Sequence, residues 1–404
     1  MSSTARSTER SGGMEFIPYS CQSISDDDVE AVVATLRSPF LTQGPAIPAF
    51  EQAFAARHDI AHAVAVSNAT AALHIACLAL DVGPGSLVWT SPNSFLASAN
   101  CALYCGAQID FVDIDPATRN MSVARLAEKL EAAEANGRLP DLLIPVDFAG
   151  LPCDLEDMRA LADRYGFRIL EDASHAAGAT YRGAPVASRH ADAAVFSFHA
   201  VKIVTTAEGG IVATNDAAVA RRVQLLRSHG MTREAGEMVG APDGPWSYEQ
   251  RSLGYNYRMT DLQAALGLSQ LSRIDAMQAE RDMRADRYDR LLADLPLKLP
   301  ARIGDRRSAW HLYAIELDPT RTSVTRLQLF EALRAAQIGV NVHYIPIHTQ
   351  PYYRDLGFRE GDFPAAEAYY AQALSIPLFP RMTDAQQDRV VAVIRDELGE
   401  GGRP

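Results

Sequence analysis

The stretch VFSFHAVKIVTTAEGGIVATN, residues 195–215, holds one lysine, Lys202, among small, apolar and hydroxyl residues. Apolar surroundings disfavour an ammonium ion and leave a neutral, nucleophilic amine. Carbonyl (Schiff-base) chemistry needs such an amine. Upstream, FRILEDASHAAGA (residues 167–179) reads as an apolar strand that delivers Glu171 and Asp172 at its end, with His175 three residues on. Open α/β sheets bind ligands beyond the carboxyl ends of their strands. An Asp placed there can hold a positively charged nitrogen, or it can be a solvated acid capping the next turn. Further upstream, SNATAALHIA (residues 67–76) turns from a strand into a helix at Asn68 to Thr70. The free N–H groups of such a helix start, with the Thr70 hydroxyl, make an anion cradle. By themselves these residues read more simply as a plain helix cap.

Together the three segments supply an amine, an acid and an anion cradle. Those are the parts pyridoxal phosphate requires: a lysine for its aldehyde, an acid for its ring nitrogen and a helix N-terminus for its phosphate. No GxGxxG follows an early strand and no GxxxxGK[ST] occurs, so neither a dinucleotide fingerprint nor a nucleotide-triphosphate loop is present.

The elements that must position these residues are legible in the apolar pattern. HAVAV, SLVWTS, QIDFVDID, DLLIPVDF, FRILEDAS, AAVFSF and GIVATN read as strands, and helical segments alternate with most of them. That alternation predicts an α/β domain with a mostly parallel seven-stranded sheet. SISDDDVEAVVATLRS predicts a helix capped by Ser25, with Val29, Val32, Val33 and Leu36 as its apolar face. A Gly-, Pro- and aromatic-rich segment, APDGPWSYEQRSLGYNYRMT, ends this pattern. One long helix capped by Thr260 is expected after it, then a smaller α+β domain with strands at WHLYAIEL and IGVNVHYIPI. The expected division is a disordered lead-in over residues 1–13, a large domain over 14–249 and a small C-terminal domain over 250–404.

The net charge of −12 argues against a broad nucleic-acid surface. No run approaches the roughly 18 apolar residues of a membrane helix, and the polar start lacks the apolar core of a signal peptide. Five irregularly spaced cysteines suit a reducing compartment, so the expected location is the cytoplasm. The pair Cys101 and Cys105 reads as buried small residues on one helix face.

Seven motifs in order, FLTQGP, SNATAALHIA, FLASANCALYCGAQIDFVDID, ILEDASHAAGA, FSFHAVKIVTTAEGG, GYNYRMTDLQAALG and VHYIPIHTQPYY, carry a further resemblance. The chain resembles the DegT-type (DegT/DnrJ/StrS) nucleotide-sugar aminotransferases from about residue 16 to its C-terminus. The resemblance implies the type I aspartate aminotransferase fold, pyridoxal 5'-phosphate as cofactor and a homodimer with shared active sites. It makes Lys202 the lysine that holds the cofactor and carries the proton, and Asp172 the partner of the ring nitrogen. It assigns Asn68, Ala69, Thr70 and Ser197 to the phosphate, Phe95 to the ring face and His175 to the ring's hydroxyl side. Asn256 is implied to reach the phosphate of the neighbouring subunit.

Arg258, His343, Tyr344 and His229 are candidates for substrate contact, with structural roles open for each; Tyr352 and Tyr353 read as packing residues. Family members with His in place of Lys202 are dehydratases, so Lys202 favours amino transfer. Within the family the chain is similar to the transaminases of pseudaminic acid synthesis, from which it departs at Ala200 and at Ile203 and Val204. That likeness implies amino transfer from L-glutamate to C4 of a UDP-linked 4-keto-6-deoxy-N-acetylhexosamine. Another keto nucleotide sugar, or a non-catalytic cofactor-binding regulator, are the alternatives. A nicotinamide-dependent sugar epimerase would need the missing glycine fingerprint.

Overall fold

The computed structural model describes residues 15–400. The expected disordered lead-in over 1–13 and the last four residues lie outside the described residues. Helices α1 (Asp26–Leu36) and α2 (Ala46–His58) lead into β1 (His62–Val66), α3 (Ala69–Ala79), β2 (Leu87–Thr90), α4 (Ala97–Tyr104) and β3 (Gln108–Phe111). Then follow α5 (Val123–Ala135), β4 (Leu142–Ile144), α6 (Leu155–Tyr165), β5 (Arg168–Asp172), β6 (Ala193–Ser197), β7 (Gly210–Thr214) and α7 (Ala217–Leu226).

The seven strands form one sheet in the order β1-β7-β6-β5-β4-β2-β3. Only β7 runs antiparallel, pairing with β1 on one side and β6 on the other. The other six strands therefore point their carboxyl ends to one edge. Both faces are covered, which is why these strands read as nearly continuous apolar runs. Within them side chains still alternate: Val64, Val66, Val195 and Val212 pack with α3, α4 and α7, while Ala63, Ala65, Phe196 and Ile211 face α2 and α8. Farther along the sheet, Trp89, Leu143 and Ile169 face α5 and α6.

The region expected as one long helix is two: α8 (Asp261–Leu271) and α9 (Ile274–Leu292). The break follows from the C-cap at Ser272 and the non-helical backbone of Arg273. Thr260 caps α8 as expected, in a capping box with Gln263. Helix α8 packs on α1 and α2, and α9 passes from the large-sheet core, at Ile274 and Met277, into a separate apolar core at Ala285, Tyr288 and Leu292. That second core surrounds a three-stranded antiparallel sheet of β8 (Leu297–Lys298), β9 (Tyr313–Leu317) and β10 (Ala373–Ile376). Helices α10 (Arg326–Ala335), α11 (Pro351–Asp355), α12 (Pro364–Gln372) and α13 (Asp384–Glu400) complete the chain. IGVNVHYIPI is not a strand. It makes only isolated bridges, Ile17 to Ile338 and Asn341 to Ser375, and leaves its backbone free to bend into the cleft between the two cores.

Helix α1 also departs from expectation. Ser25 caps it, but Val29 and Leu36 stay about half exposed, at 53% and 55%. The buried residue is Asp28, which bonds to Ser25, Ser269, Gln270 and Arg273. Cys77, Cys101 and Cys105 are buried, unbridged packing residues.

One buried ion pair ties the two cores together. Arg119, in the turn after β3, donates through Nε to Glu316 Oε1 of β9 at 2.7 Å, and both side chains are more than nine-tenths buried. Deleting one member strands the other charge away from water. Glu316→Ala is therefore expected to cost about 3–5 kcal/mol of stability, read as a lowered denaturation midpoint.

Candidate active site

The carboxyl edge of the sheet opens into a cavity of about 930 Å³ between the two cores. Its floor is delivered by strand ends. Asn68, Ala69 and Thr70 follow β1, Ser94 and Phe95 follow β2, Asp172 ends β5, and Ser197 ends β6 with Lys202 just beyond. His343 and Tyr344 close it from the smaller core. Segments as far apart as Asn68 and Lys202, 134 positions, meet here because parallel strands place all their carboxyl ends on one edge.

Helix α3 begins as the sequence suggests. Asn68 is its N-cap and accepts from Ala71 N–H at 2.8 Å. The Ala69 and Thr70 N–H groups, in the first turn, have no intrahelical acceptor, and both residues line the cavity. Gly210 lets β7 press directly behind this turn: a Cβ there would lie 2.7 Å from the Asn68 carbonyl carbon and 2.8 Å from Ala69 N. Two consecutive glycines, Gly209 and Gly210, follow the lysine turn, where positive φ is a common reason for glycine. Neither has it; Ala207 takes the left-handed turn at φ 65°, and the two glycines serve close approach instead.

Asp172 is 4% exposed and held on both oxygens. Ser98 Oγ donates to Oδ2 at 2.6 Å and Ser174 N–H to Oδ1 at 3.2 Å, while Ser94 bonds to Ser98 at 2.7 Å. Such an acid is preorganised to meet a cation at a defined position. Lys202 N–H donates to the His199 carbonyl at 2.9 Å, which fixes the turn that carries the side chain. Burial pushes the Lys202 ammonium down to about 8, against the pull of Asp172. His175, His311 and His343 lie close by, and all three are pushed below the ordinary histidine value, by burial first and by Lys202 second. The neutral rings add no charge against the lysine.

His175 Nε2 lies 3.2 Å from the Tyr344 hydroxyl, and its ring centre lies 4.3 Å from that of His311, the two planes tilted by 43°. His343 Nδ1 meets Ser375 Oγ at 2.8 Å. Phe95 stands exposed at the rim, 6.4 Å ring to ring from Tyr344. Three candidates do not line this chain's cavity. Asn256 and His229 are exposed on a neighbouring surface, and Arg258 bridges Val66 through its backbone. Tyr353 packs in the core, donating to Asn100 at 2.6 Å, and Tyr352 is exposed.

The sequence reading missed Ser98, His311, Tyr19 and Asn341, which also line the cavity. Ser98 stands three positions after Phe95, so its helical spacing was an available signal. His311 lay hidden in a segment read only as a strand. Nothing in the sequence near Tyr19 or Asn341 points to the site.

The residues present fit pyridoxal phosphate. A capped helix start with free N–H groups suits a phosphate, a doubly held buried acid suits a ring nitrogen, and a lysine with a depressed pKa suits an aldehyde. The sequence profile of the DegT/DnrJ/EryC1/StrS aminotransferase family matches residues 22–395. The chain belongs to this family of aminotransferases.

The spore coat polysaccharide biosynthesis protein SpsC of Bacillus subtilis is 41% identical over 384 residues, covering 94% of this chain and 97% of SpsC. Among solved structures, PseC of Helicobacter pylori, an aminotransferase involved in the biosynthesis of pseudoaminic acid, superposes with a TM-score of 0.87 at 29% identity. The match covers 96% of this chain and all of PseC. Spr1654 of Streptococcus pneumoniae, assigned as a sugar aminotransferase, matches in its apo form with a TM-score of 0.85 at 29% identity over 96% of this chain and 98% of its own. It has also been solved in PMP and PLP forms. The chain thus has the type I fold expected for a family aminotransferase, with one antiparallel strand in its seven-stranded sheet.

Proposed function

We propose that this family member uses pyridoxal 5'-phosphate to move an amino group from L-glutamate to C4 of a UDP-linked 4-keto-6-deoxy-N-acetylhexosamine. The keto-sugar in this reading is UDP-2-acetamido-2,6-dideoxy-β-L-arabino-hex-4-ulose, on the way to pseudaminic acid. The observation that carries the amino-transfer chemistry is the convergence of Lys202, Asp172 and the α3 N-terminus on one cavity. The likeness to PseC supports the sugar.

When bound, pyridoxal phosphate supplies an aldehyde that takes up amines and a ring that accepts electrons from the carbon bearing them. In this reading Lys202 would hold the aldehyde, and its Nζ, once an incoming amine has replaced it there, would be the base that accepts a proton from the amine-bearing carbon and returns it. Asp172 holds the ring nitrogen in its protonated state. Asn68, Ala69, Thr70 and Ser197 hold the phosphate, Phe95 covers the ring and His175 supports its hydroxyl side. His343 and Tyr344 face the sugar from the smaller core.

A homodimer belongs to the same reading. Val29, Leu36, Phe40 and Leu41 present exposed apolar side chains at and after α1, which a second copy would cover. Asn256, and with it Arg258 and His229, would then serve the neighbouring site. No helix among the described residues is long and apolar enough to cross a membrane; the cytoplasm remains the proposed location.

SpsC, at higher identity than PseC, favours a second reading in which another keto-sugar of a surface polysaccharide is aminated. The test is amino transfer from L-glutamate to a panel of UDP- and dTDP-linked 4-keto-sugars, followed as 2-oxoglutarate release and by mass of the aminated product. The expected result is a preference for the UDP-linked N-acetylhexosulose. A strong preference for another sugar selects the second reading. Cofactor binding without amino transfer to any keto-sugar leaves a regulator.

A further inference from the structure

Behind Asp172, on the side away from the cavity, two more carboxyl groups are fully buried: Asp147, in the loop after β4, and Glu171, in β5. Each has one oxygen satisfied by a backbone donor. Asp147 Oδ1 accepts from Cys153 N–H at 2.8 Å, and Glu171 Oε2 accepts from Ala187 N–H at 3.0 Å. The remaining oxygens, Asp147 Oδ2 and Glu171 Oε1, are buried, and no N–H or hydroxyl among the described residues donates to them. The two carboxyl groups lie close enough for each to act on the other. Two carboxylates could not bond, because neither has a hydrogen to give; one proton between them would satisfy both orphaned oxygens and remove one buried charge.

The loop that carries Asp147 is bound to Asp172 itself. Asp147 N–H donates to the Asp172 carbonyl at 3.1 Å, and Asp172 N–H donates to the Pro145 carbonyl at 2.9 Å. We infer that Asp147 and Glu171 are positioning residues for Asp172. They share one proton, which locks the β4 loop to the end of β5 and leaves one negative charge behind the acid. This rests on the reading of Asp172 as partner of the cofactor's ring nitrogen. A fixed negative charge behind Asp172 supports a positive nitrogen in front of it, whereas two such charges would not be sustained in so apolar a place.

The titratable groups that act on the pair are Asp172 and the Cys153 thiol. Burial, in the first place, raises both acids: Asp147 to about 6 and Glu171 well above the ordinary glutamate value. Groups raised on folding stabilise the native state below their unfolded values and lose that contribution as pH climbs through the folded ones.

Infrared difference spectra of the cofactor-free protein read the proton directly. At neutral pH the wild-type protein is expected to show the carbonyl stretch of a buried protonated carboxyl group, and Glu171→Gln to lose it. Absence of the band, or its persistence in Glu171→Gln, overturns the shared proton. Positioning is read in the dissociation constant of pyridoxal phosphate. Glu171→Leu, which leaves Asp147 unpaired, is expected to weaken binding about tenfold or more. Glu171→Gln recovers most of that loss, since its amide N–H can donate to Asp147 Oδ2. Equal weakening in the two variants, or none in either, overturns the role. If the band behaves as expected but Asp172→Ala leaves affinity unchanged, the reading of Asp172 has failed, and the positioning role falls with it while the shared proton stands.

Discussion

Lys202→Ala is expected to end amino transfer, with kcat falling at least about 10⁴-fold, the upper range for a positioned acid–base group. On the proposed reading the variant removes both the group that holds the cofactor and the base that moves the proton. The fold should survive. Lys202 is a desolvated cation whose pKa falls to about 8 through burial, so its removal relieves a cost and the melting temperature should not drop. Circular dichroism and the melting curve check the fold; glutamate-dependent 2-oxoglutarate release checks the activity. The same side chain gives a pH signature. Its folded value lies below that of a free lysine, so the neutral amine predominates above about 8. Carbonyl capture by the cofactor-free wild-type protein should therefore rise with pH and level off there. A rate that keeps climbing toward the value of an ordinary lysine, about 10.4, would show that the pocket does not tune it. Activity retained in Lys202→Ala would sink the mechanism outright.

Asp172→Ala carries the second large effect. Cofactor affinity and turnover are both expected to fall, turnover by about 10²–10³-fold, the range for removing one preorganised electrostatic partner. The geometry explains why they fall together. Asp172 is held by Ser98 and Ser174 and is nearly fully buried, so no water or neighbouring acid can replace it at the same place. Asp172→Asn keeps a hydrogen-bond acceptor for Ser98 but loses the charge. Affinity and turnover in that variant separate the charge from the packing. If the asparagine variant matches wild type, the negative charge is not what the site uses.

Residue type and local pattern are properties of short segments, and they carried much of this protein. Each strand of the large sheet is a short apolar run bounded by turn residues, and each was visible as such. The caps Ser25, Asn68 and Thr260 were visible because a cap needs only a few consecutive residues to form. Lys202, Asp172 and the Asn68–Thr70 turn were legible because the proposed chemistry depends on their types and on strand ends that periodicity reveals. The motifs then indicated the family.

What depends on distant segments was not legible. The split between α8 and α9 comes from a local break that the apolar period runs straight across. The stretch IGVNVHYIPI has strand-forming residues, yet its backbone turns into the cleft, because pairing requires a neighbour and β10 offers it a single bridge there. Nothing in the sequence around Gly210 shows that it must approach the helix start at Ala69, 141 positions earlier. Ser98, His311 and the buried pair of Asp147 and Glu171 gain their meaning only from what lies across the sheet edge. The sequence by itself determined the elements and the reactive side chains. Only the tertiary structure decided which acids are buried together, which histidines surround the lysine and which apolar faces stay uncovered, since burial and pairing are set by atoms remote along the chain.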